Sequence, residues 1–409
     1  MNGKNVKNLR VPYALAVHDE EEEKRVLKVL REHRTNIGIE TQEFETKVAK
    51  EFGKKYGIMV NSGSSANLIA LEILNLPEGS EVITPVLTFS TTVAPLVKKN
   101  LIPVFADVKE GQYIIDEDQI EKLITKKTKA LMIPLLFGNV PNLEKISKIA
   151  KKHKLFLIED SCDTFAAKFN NKPSGTYSDI TTTSFFGSHI ITAGGNGGMV
   201  MVNDPKLRDR AKVFRGWGRS SSLFSESEDI KLRFKYKIDE IQYDAKFIFE
   251  EVGYNFLPSE MGAAFGNAQL KKLPKFRSTR EKNFKELIKF FSKYPNYFIT
   301  PIQEKNVKTQ WLAFPLEIRE GAPFTRMQIT TFLENNNIQT RPVFTGNILR
   351  QPGFKKIDKK APLNYPVAEK IMKNAFVIGV HHGIEQKHLD RIKEVFEDFF
   401  STLKTNSKS

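Results

Sequence analysis

The chain has 409 residues, of which 40% are hydrophobic and 27% are charged. These are ordinary globular values, and they exclude a fibrous or disordered protein. The formal net charge of +15 suits a polyanionic partner, but the lysines are scattered and form no basic block, so we do not predict nucleic acid binding. The single cysteine, Cys162, excludes an intramolecular disulfide.

Two features of the whole chain set its expected organisation. No apolar run near the N-terminus has signal-peptide length, and no later run reaches the ~20 apolar residues of a membrane span. We therefore expect a cytoplasmic protein with no membrane partner. A chain of this length exceeds the usual limit for one core, so we expect two domains. The predicted division gives a large domain at 1–272 and a small C-terminal domain at 273–409.

The first predicted element is an amphipathic helix from Asp19 to Arg34. Short apolar runs then alternate with helical patterns such as Ser64 to Leu74 and Leu143 to His153, which is typical of a wound α/β sheet. The strand-like runs are YGIMV (56–60), EVITP (81–85), IPVFAD (102–107), KALMIPLL (129–136), LFLIED (155–160) and GGMVMVN (197–203).

Beyond Leu273 the pattern changes to that of a smaller α+β domain. The predicted elements there are a helix near Arg280 to Phe291, a strand around TQWLAFPLEI (309–318), a helix from Thr325 and a closing helix from Gln386 to Phe400.

The segment VNSGSSANLIALEIL places Gly63, Ser64 and Ser65 where a strand passes into a helix. Free amides and the helix dipole converge at such a point, so it suits a phosphate group. Taken alone, the same residues also describe an ordinary serine-capped helix.

The segment LFLIEDSCDTFAA ends a buried strand in two carboxylates, Glu159 and Asp160. Ligands of open α/β sheets bind at this carboxyl edge. A carboxylate there can keep a pyridinium nitrogen protonated, which makes a pyridoxal ring an electron sink. Helix capping is the alternative role for a strand-end aspartate.

The third segment, TTTSFFGSHIITAGGNGGMVMV, carries Ser184 and His189 ahead of a glycine-rich turn. The order NSGSSAN, IEDSCD, SFFGSHIITAGGNGG and VGYNFLPSEMGAAFGNAQL resembles the sugar aminotransferase and dehydratase family named for DegT, DnrJ, EryC1 and StrS. The resemblance extends from about Val11 to Phe399. It implies an α/β protein of fold type I, like aspartate aminotransferase, with a mixed, mainly parallel sheet in its large domain and a smaller α+β C-terminal domain.

In that family a lysine normally lies five residues after the serine of the SF motif and forms the Schiff base with pyridoxal phosphate. This chain has His189 there. Imidazole offers no primary amine, but its near-neutral pKa suits proton transfer. The replacement marks the family's 3-dehydratase branch. It implies removal of the C3 hydroxyl group from a nucleotide-linked 4-keto-6-deoxy sugar, in the synthesis of dideoxysugars for surface polysaccharide.

The resemblance also implies roles for particular residues. Asp160 would pair with the ring nitrogen, Asp163 would lie near the ring hydroxyl, and Phe89 would stack on the ring. The other residues implied are Gly63, Ser64, Ser65 and Ser184 for the phosphate, Asn255 from the neighbouring subunit of a homodimer, and Arg219, Asn347 and Arg350 for the substrate.

One departure concerns metal. The iron–sulfur member of this branch carries closely spaced cysteines after a Gly-Trp-Gly-Arg stretch, where this chain has Ser220, Ser221 and Ser222. Serine is not a normal cluster ligand, so we predict no cluster and no metal site. The resemblance then implies pyridoxamine phosphate as the resting cofactor and an amino donor such as glutamate, and it leaves a separate reductase open.

Two other functions remain open. An aminotransferase that uses a different lysine would form a covalent cofactor adduct that borohydride fixes to the protein. A non-catalytic regulator with the same fold would bind cofactor or sugar without turnover.

Overall fold

The computed structural model of the protein describes residues 9–224 and 228–406. Its helices are α1 (Glu20–Arg31), α2 (Ile39–Glu51), α3 (Gly63–Leu74), α4 (Ser90–Lys98), α5 (Ile120–Leu123), α6 (Leu143–Lys152), α7 (Pro205–Arg215), α8 (Ile230–Arg233), α9 (Glu260–Phe291), α10 (Arg326–Asn335), α11 (Pro366–Asn374) and α12 (Gln386–Asn406). None of the helices in these ranges is long and apolar enough to cross a membrane.

The strands form one large sheet, one smaller sheet and two short pieces. They are β1 (Tyr56–Val60), β2 (Glu81–Pro85), β3 (Ile102–Ala106), β4 (Thr128–Pro134), β5 (Phe156–Ser161), β6 (Lys168–Phe169), β7 (Lys172–Pro173), β8 (Ile180–Ser184), β9 (Gly198–Val202), β10 (Tyr236–Ile238), β11 (Ile241–Tyr243), β12 (Phe298–Ile299), β13 (Val307–Lys308), β14 (Ala313–Ile318), β15 (Thr340–Pro342) and β16 (Ala375–Gly379).

The large sheet has seven strands in the order β1-β9-β8-β5-β4-β2-β3. Only β9 runs antiparallel to its neighbours, so the predicted mixed, mainly parallel sheet is confirmed. The C-terminal part contains an antiparallel sheet in the order β12-β14-β16-β15, packed with α10, α11 and α12. Parallel strands point their carboxyl ends to one edge, so β4, β5 and β8 deliver their last residues to the same place.

Three of the differences from the prediction concern β8, α2 and α9. Strand β8 was not predicted, because its three threonines do not give the apolar pattern of a central strand. These threonines are nevertheless buried, since β8 lies between β5 and β9 in the sheet. Helix α2 was not predicted, and α9 begins at Glu260 instead of near Arg280. The predicted domain division at 272/273 falls inside α9, and it remains a prediction.

Helix α2 is capped by a side chain that is distant in sequence. Its N-cap residue, Gly38, has no side chain to cap it. The buried Glu260 carboxylate of α9 instead accepts hydrogen bonds from the amides of Gly38, Glu40 and Thr41 at 2.9, 2.7 and 3.1 Å, and from the Thr41 hydroxyl at 2.5 Å. A negative charge at a helix N-terminus stabilises the helix, so Glu260 ties α2 to α9.

Replacing Glu260 with glutamine is expected to lower the free energy of unfolding by about 1–3 kcal/mol. The amide group keeps the shape of the carboxylate but turns one acceptor into a donor that faces other donors. Urea unfolding measures the difference. The exposed Glu51 of α2 is the control, because its replacement by glutamine is expected to change stability by less than about 0.5 kcal/mol. Equal effects of the two changes would contradict the capping role.

Candidate active site

A cavity of about 730 Å³ opens at the carboxyl edge of the large sheet. The last residues of β4, β5 and β8 lie in its wall or next to it, beside the first turns of α3 and α4. The lining residues are Tyr13, Ala14, Ser62, Gly63, Ser64, Phe89, Thr91, Thr92, Pro134, Leu135, Leu136, Asp160, Cys162, Asp163, Ser184, Phe186, Ser188, His189, Asn196, Gly197, Gln339, Arg341, Pro342 and Phe344. The cavity therefore gathers most of the residues singled out in the sequence.

Asp160 is held from one side by two donors. Its Oδ2 atom accepts hydrogen bonds from Asn67 Nδ2 and Thr92 Oγ1, each at 2.8 Å, while Oδ1 accepts only the Cys162 amide at 3.2 Å. Asn67 is itself fixed by Thr182, whose hydroxyl donates to Asn67 Oδ1 at 2.6 Å. These contacts fix the orientation of a buried carboxylate and leave Oδ1 with capacity for a cationic donor.

The two strand-end carboxylates lie on opposite faces of the sheet, because side chains alternate along a strand. Glu159 accepts hydrogen bonds from Ser161 and Ser174 at 2.6 and 2.7 Å and does not line the cavity. Burial raises the pKa of its carboxyl, with an opposing effect from Lys54. Glu159 is therefore a core residue, and only Asp160 reaches the site.

Asp163 lies in the cavity wall, where burial and then the nearby Asp160 carboxylate raise its pKa to about 7. Its one hydrogen bond in the described protein comes from the Phe137 amide at 3.4 Å. The raised pKa lets this carboxyl carry a proton near neutral pH, so it can donate as well as accept a hydrogen bond.

The first turn of α3 packs directly against the end of β8. A Cβ atom placed on Gly63 would lie 2.6 Å from Ser184 Cβ and 2.8 Å from Cys162 Sγ. Ser62 caps the helix by accepting the Ser65 amide at 3.1 Å, and the Ser65 hydroxyl donates to Asn61 at 2.7 Å. Gly63, Ser64 and Ser184 thus reach the cavity, whereas the Ser65 side chain is engaged elsewhere and does not line it.

Replacing Gly63 with alanine is expected to weaken the affinity for pyridoxal phosphate by about tenfold or more. The added methyl group must displace Ser184 or the helix start, and such overpacking costs ~1–3 kcal/mol. Absorbance titration with the cofactor measures the change. Gly353 provides the control, because a Cβ atom there meets no atom within 4 Å. An unchanged affinity in the Gly63 variant would contradict the proposed phosphate contact.

His189 follows β8 and lines the cavity. Its Nδ1 atom lies 3.3 Å from the Ser184 carbonyl oxygen, which can only accept, so this nitrogen carries the proton and Nε2 carries the lone pair. Burial lowers the pKa of His189 to about 4, with a smaller contribution from the charge of Arg280 and against the raising effect of the Ser184 hydrogen bond. The imidazole is therefore neutral at pH 7 and able to accept a proton.

An aromatic wall completes the site. Phe89, just before α4, is 51% exposed although it lines a cavity. Its ring meets the Phe344 ring edge-on at 6.0 Å between centroids, and Phe344 stacks on Phe137 at 4.5 Å. An accessible aromatic face of this kind can take a flat ring.

These residues fit pyridoxal or pyridoxamine phosphate. Asp160 offers a carboxylate oxygen that can accept one more donor, Phe89 offers a ring face, and the α3 N-terminus with Ser184 offers donors for a phosphate. The three parts are contiguous, because Cys162 touches the Gly63 position and donates its amide to Asp160.

The cavity also contains residues that the sequence did not single out. Tyr13 and Ala14 enter from the N-terminal segment, and Gln339, Arg341 and Phe344 enter from the region of β15. Arg341 is the one arginine among the described lining residues, and none of them is lysine. Tyr13 and Gln339 meet at the cavity through packing across more than three hundred residues of sequence.

Besides Ser65, four predicted residues do not line the cavity. Arg219 lies over the rings of Trp217, Phe247 and Phe249, and Asn255 is exposed on the surface. Asn347 and Arg350 both bind Glu369, at 2.6 and 2.7 Å. The described residues contain no group of three or more histidine, cysteine, aspartate or glutamate side chains arranged to hold a metal ion.

Comparison with known proteins gives a consistent result. The sequence profile of the DegT/DnrJ/EryC1/StrS aminotransferase family matches residues 16–397. The chain is 34% identical to the dTDP-4-dehydro-2,6-dideoxy-D-glucose 3-dehydratase of Saccharopolyspora spinosa, over 94% of this chain and 85% of that protein. It is 32% identical to the GDP-4-keto-6-deoxy-D-mannose 3-dehydratase of Escherichia coli O55:H7, over 95% and 100% of the two chains.

A solved structure is also similar. It is a GDP-4-keto-6-deoxymannose-3-dehydratase with a trapped PLP–glutamate geminal diamine, with a TM-score of 0.85 and 31% identity over 94% of this chain and 99% of that chain.

Proposed function

The chain belongs to the DegT/DnrJ/EryC1/StrS aminotransferase family, and on this basis we propose that it is a 3-dehydratase of a nucleotide-linked 4-keto-6-deoxyhexose. The observation that carries the proposal is His189. It occupies the place of the family's lysine in a cavity whose described lining residues include no lysine. A site without a primary amine cannot tether pyridoxal phosphate, so the cofactor must be held by non-covalent contacts alone.

The chemistry that pyridoxamine phosphate supplies when bound is a primary amine for the sugar ketone and a ring that takes up electrons. Asp160 would keep the ring nitrogen protonated, and Phe89 would fix the plane of the ring. Gly63, Ser64 and Ser184 would hold the phosphate. His189, neutral and with Nε2 unprotonated, would remove a proton at the cofactor's C4′ atom. The C3 hydroxyl group of the sugar leaves as water.

The amino donor is glutamate in this proposal. Deoxygenation at C3 is a two-electron reduction, and conversion of glutamate to 2-oxoglutarate supplies two electrons without a metal cluster. The similar dehydratase structure holds a PLP–glutamate adduct, which supports this donor. A separate reductase is then not required, and we place the reaction in the cytoplasm.

We further propose that the protein acts as a homodimer. Ten of the nineteen exposed large apolar side chains in the described residues fall within 217–252, among them Ile241 at 67% and Val252 at 95% exposure. Monomers rarely expose such a concentration of apolar groups. Asn255 lies next to this segment and is exposed, so in such a dimer it would be available to the cofactor phosphate of a second copy.

Substituting aspartate for both Ile241 and Val252 is expected to convert the dimer to a monomer at low micromolar concentration. Charges buried at the centre of an interface cost ~2 kcal/mol or more each. Sedimentation velocity measures the mass, and the cofactor affinity should fall with it. Met327, 66% exposed on α10, serves as the control site for the same change. A double variant that remains dimeric would place the interface elsewhere.

The proposed function is tested by a panel of CDP-, GDP- and dTDP-linked 4-keto-6-deoxyhexoses with pyridoxal phosphate and glutamate. Conversion of at least one sugar to its 3-deoxy product, with formation of 2-oxoglutarate and ammonia, is the expected result. A 4-amino product that keeps its C3 hydroxyl group would instead identify an aminotransferase. Binding of cofactor and sugar without any turnover would identify a regulator.

A further inference from the structure

Tyr13 is held in the cavity wall by contacts on both sides. Val11 exchanges backbone hydrogen bonds with Asn337 and Gln339 at 2.8 and 3.0 Å, and the Tyr13 amide donates to Gln339 Oε1 at 3.1 Å. The carbonyl oxygen of Pro12 lies 3.1 Å from His381 Nε2. The backbone position of Tyr13 is therefore set by the C-terminal domain, and its side chain lines the cavity.

The Tyr13 hydroxyl group has no hydrogen-bond partner among residues 9–224 and 228–406. Two other hydroxyl groups of the cavity have partners in the protein: Thr92 donates to Asp160, and Ser184 accepts the Phe186 amide. A half-buried phenol without a protein partner, facing a cavity, is available to a bound molecule.

Two guanidinium groups lie near this phenol. Arg341 Cζ is 5.5 Å from the centre of the Tyr13 ring. Arg280 is fully buried, and its Nη1 atom donates to the carbonyls of Trp311 and Leu312 at 3.1 and 3.2 Å, while Nη2 has no partner in the described protein. No carboxylate of the described residues forms an ion pair with either arginine.

The two positive charges affect the phenol directly. Burial raises the pKa of Tyr13 well above its ordinary value, and the nearby Asp163 adds to this effect. The charges of Arg341 and Arg280 act in the opposite direction. Tyr13 therefore rests as a neutral phenol, and a negative charge that develops on its oxygen is compensated by two fixed cations.

Resting on the proposed function, we propose that Tyr13 is the acid that protonates the C3 hydroxyl group of the sugar as it leaves. The O–H bond of Tyr13 and the C3–O bond of the sugar break, and the new O–H bond completes a water molecule. The electron pair of the C3–O bond departs with that oxygen. The C3 carbon gains in its place the electron pair that remains when His189 removes its proton. Solvent then reprotonates the phenolate.

This assignment separates two roles within the cavity. His189 rests without the proton that an acid must donate, so it suits the base. Asp163 is the other buried acid in the wall, but it lies beside Asp160, the carboxylate that fits the cofactor ring, so we assign it to the ring and not to the sugar. Tyr13 lines the cavity from the N-terminal segment and lies next to Arg341 of β15.

The test compares two leaving groups in Tyr13→Phe and in wild type. Fluoride leaves without protonation, so the nucleotide sugar with fluorine in place of the C3 hydroxyl group bypasses an acid. Tyr13→Phe is expected to slow loss of the hydroxyl group by roughly 10²–10⁴-fold, and to slow fluoride release by less than about threefold. Glutamate-driven conversion of pyridoxal to pyridoxamine phosphate, followed by absorbance, is expected to be unchanged, because no hydroxyl group leaves in that conversion.

Tyr177→Phe is the matched control, because Tyr177 donates to the Phe169 carbonyl and does not line the cavity. Equal slowing of both leaving groups in Tyr13→Phe would mean that Tyr13 only positions the sugar, and would overturn the assignment. Normal loss of the hydroxyl group would overturn it as well, in favour of His189 or Asp163. If wild type converts the cofactor with glutamate but dehydrates no sugar, the proposed function fails first and the assignment falls with it.

Discussion

His189→Asn is expected to lower the rate of dehydration by roughly 10²–10⁴-fold, the usual effect of losing a general acid or base. Asparagine is close in size to histidine and can keep the contact with the Ser184 carbonyl, so the fold and the cofactor affinity should be retained. The variant loses the Nε2 lone pair that accepts the proton, because the amide nitrogen of asparagine can only donate. Single-turnover assays with pyridoxamine phosphate preloaded separate this chemical step from product release.

Two further variants make the result specific. His189→Lys restores a primary amine at the position, so a covalent link to pyridoxal phosphate that borohydride fixes is expected, and mass spectrometry detects it. His388→Asn on α12 is the control for histidine loss outside the cavity. Wild-type dehydration in His189→Asn, together with no covalent link in His189→Lys, would place His189 away from the cofactor.

Asp160→Asn is expected to weaken cofactor affinity by roughly 10²–10⁴-fold. Breaking a buried ion pair by removing one partner costs ~3–5 kcal/mol, and each 1.4 kcal/mol is a factor of ten. The partner here is the protonated ring nitrogen that Asp160 Oδ1 would face. The variant should also leave the bound ring a poorer electron sink, so dehydration should stay slow even at saturating cofactor. Equilibrium dialysis and saturated turnover measure the two effects separately.

Glu159→Gln is the matched control for Asp160→Asn. The two residues are adjacent in β5 but face opposite sides of the sheet. Glu159 accepts hydrogen bonds from Ser161 and Ser174, and the charge of Lys54 acts on its carboxyl. Its replacement can change stability but should not change cofactor affinity. A similar loss of affinity in both variants would show that the effect arises from disturbance of the sheet and not from a contact with the ring.

Much of this site could be predicted from local sequence. Asp160 and Ser184 end strands, and Gly63 begins a helix. The residues near them in sequence determine where strands end and helices begin. The parallel sheet then places these ends at one edge, so no long-range contact has to be predicted. The same local reasoning missed β8, because buried threonines look polar in sequence although their strand lies in the middle of the sheet.

The rest of the site depends on contacts that local sequence does not encode. Tyr13 reaches the cavity only because Val11 pairs beside Ile338, more than three hundred positions away. Asn347 and Arg350, which the family resemblance assigns to the substrate, do not line the cavity in the described structure, and their role remains a prediction. Asn347 caps a short helical turn by accepting the Leu349 amide, and its amide group binds Glu369, as Arg350 does. These local partners keep both side chains away from the cavity in the described structure.

Helix α9 joins the two parts of the protein without an interruption, from the cap that it provides for α2 to Arg280 and on to Phe291. A continuous helix resists bending, so α9 restrains movement of the C-terminal sheet relative to the large sheet more than a flexible linker would. The helix is expected to bend most easily at Pro274. Proline lacks an amide proton, so the Leu270 carbonyl has no helical donor there. A rotation of the C-terminal part relative to the large sheet would therefore bend α9 most readily near this turn, and it would carry Arg280 with it.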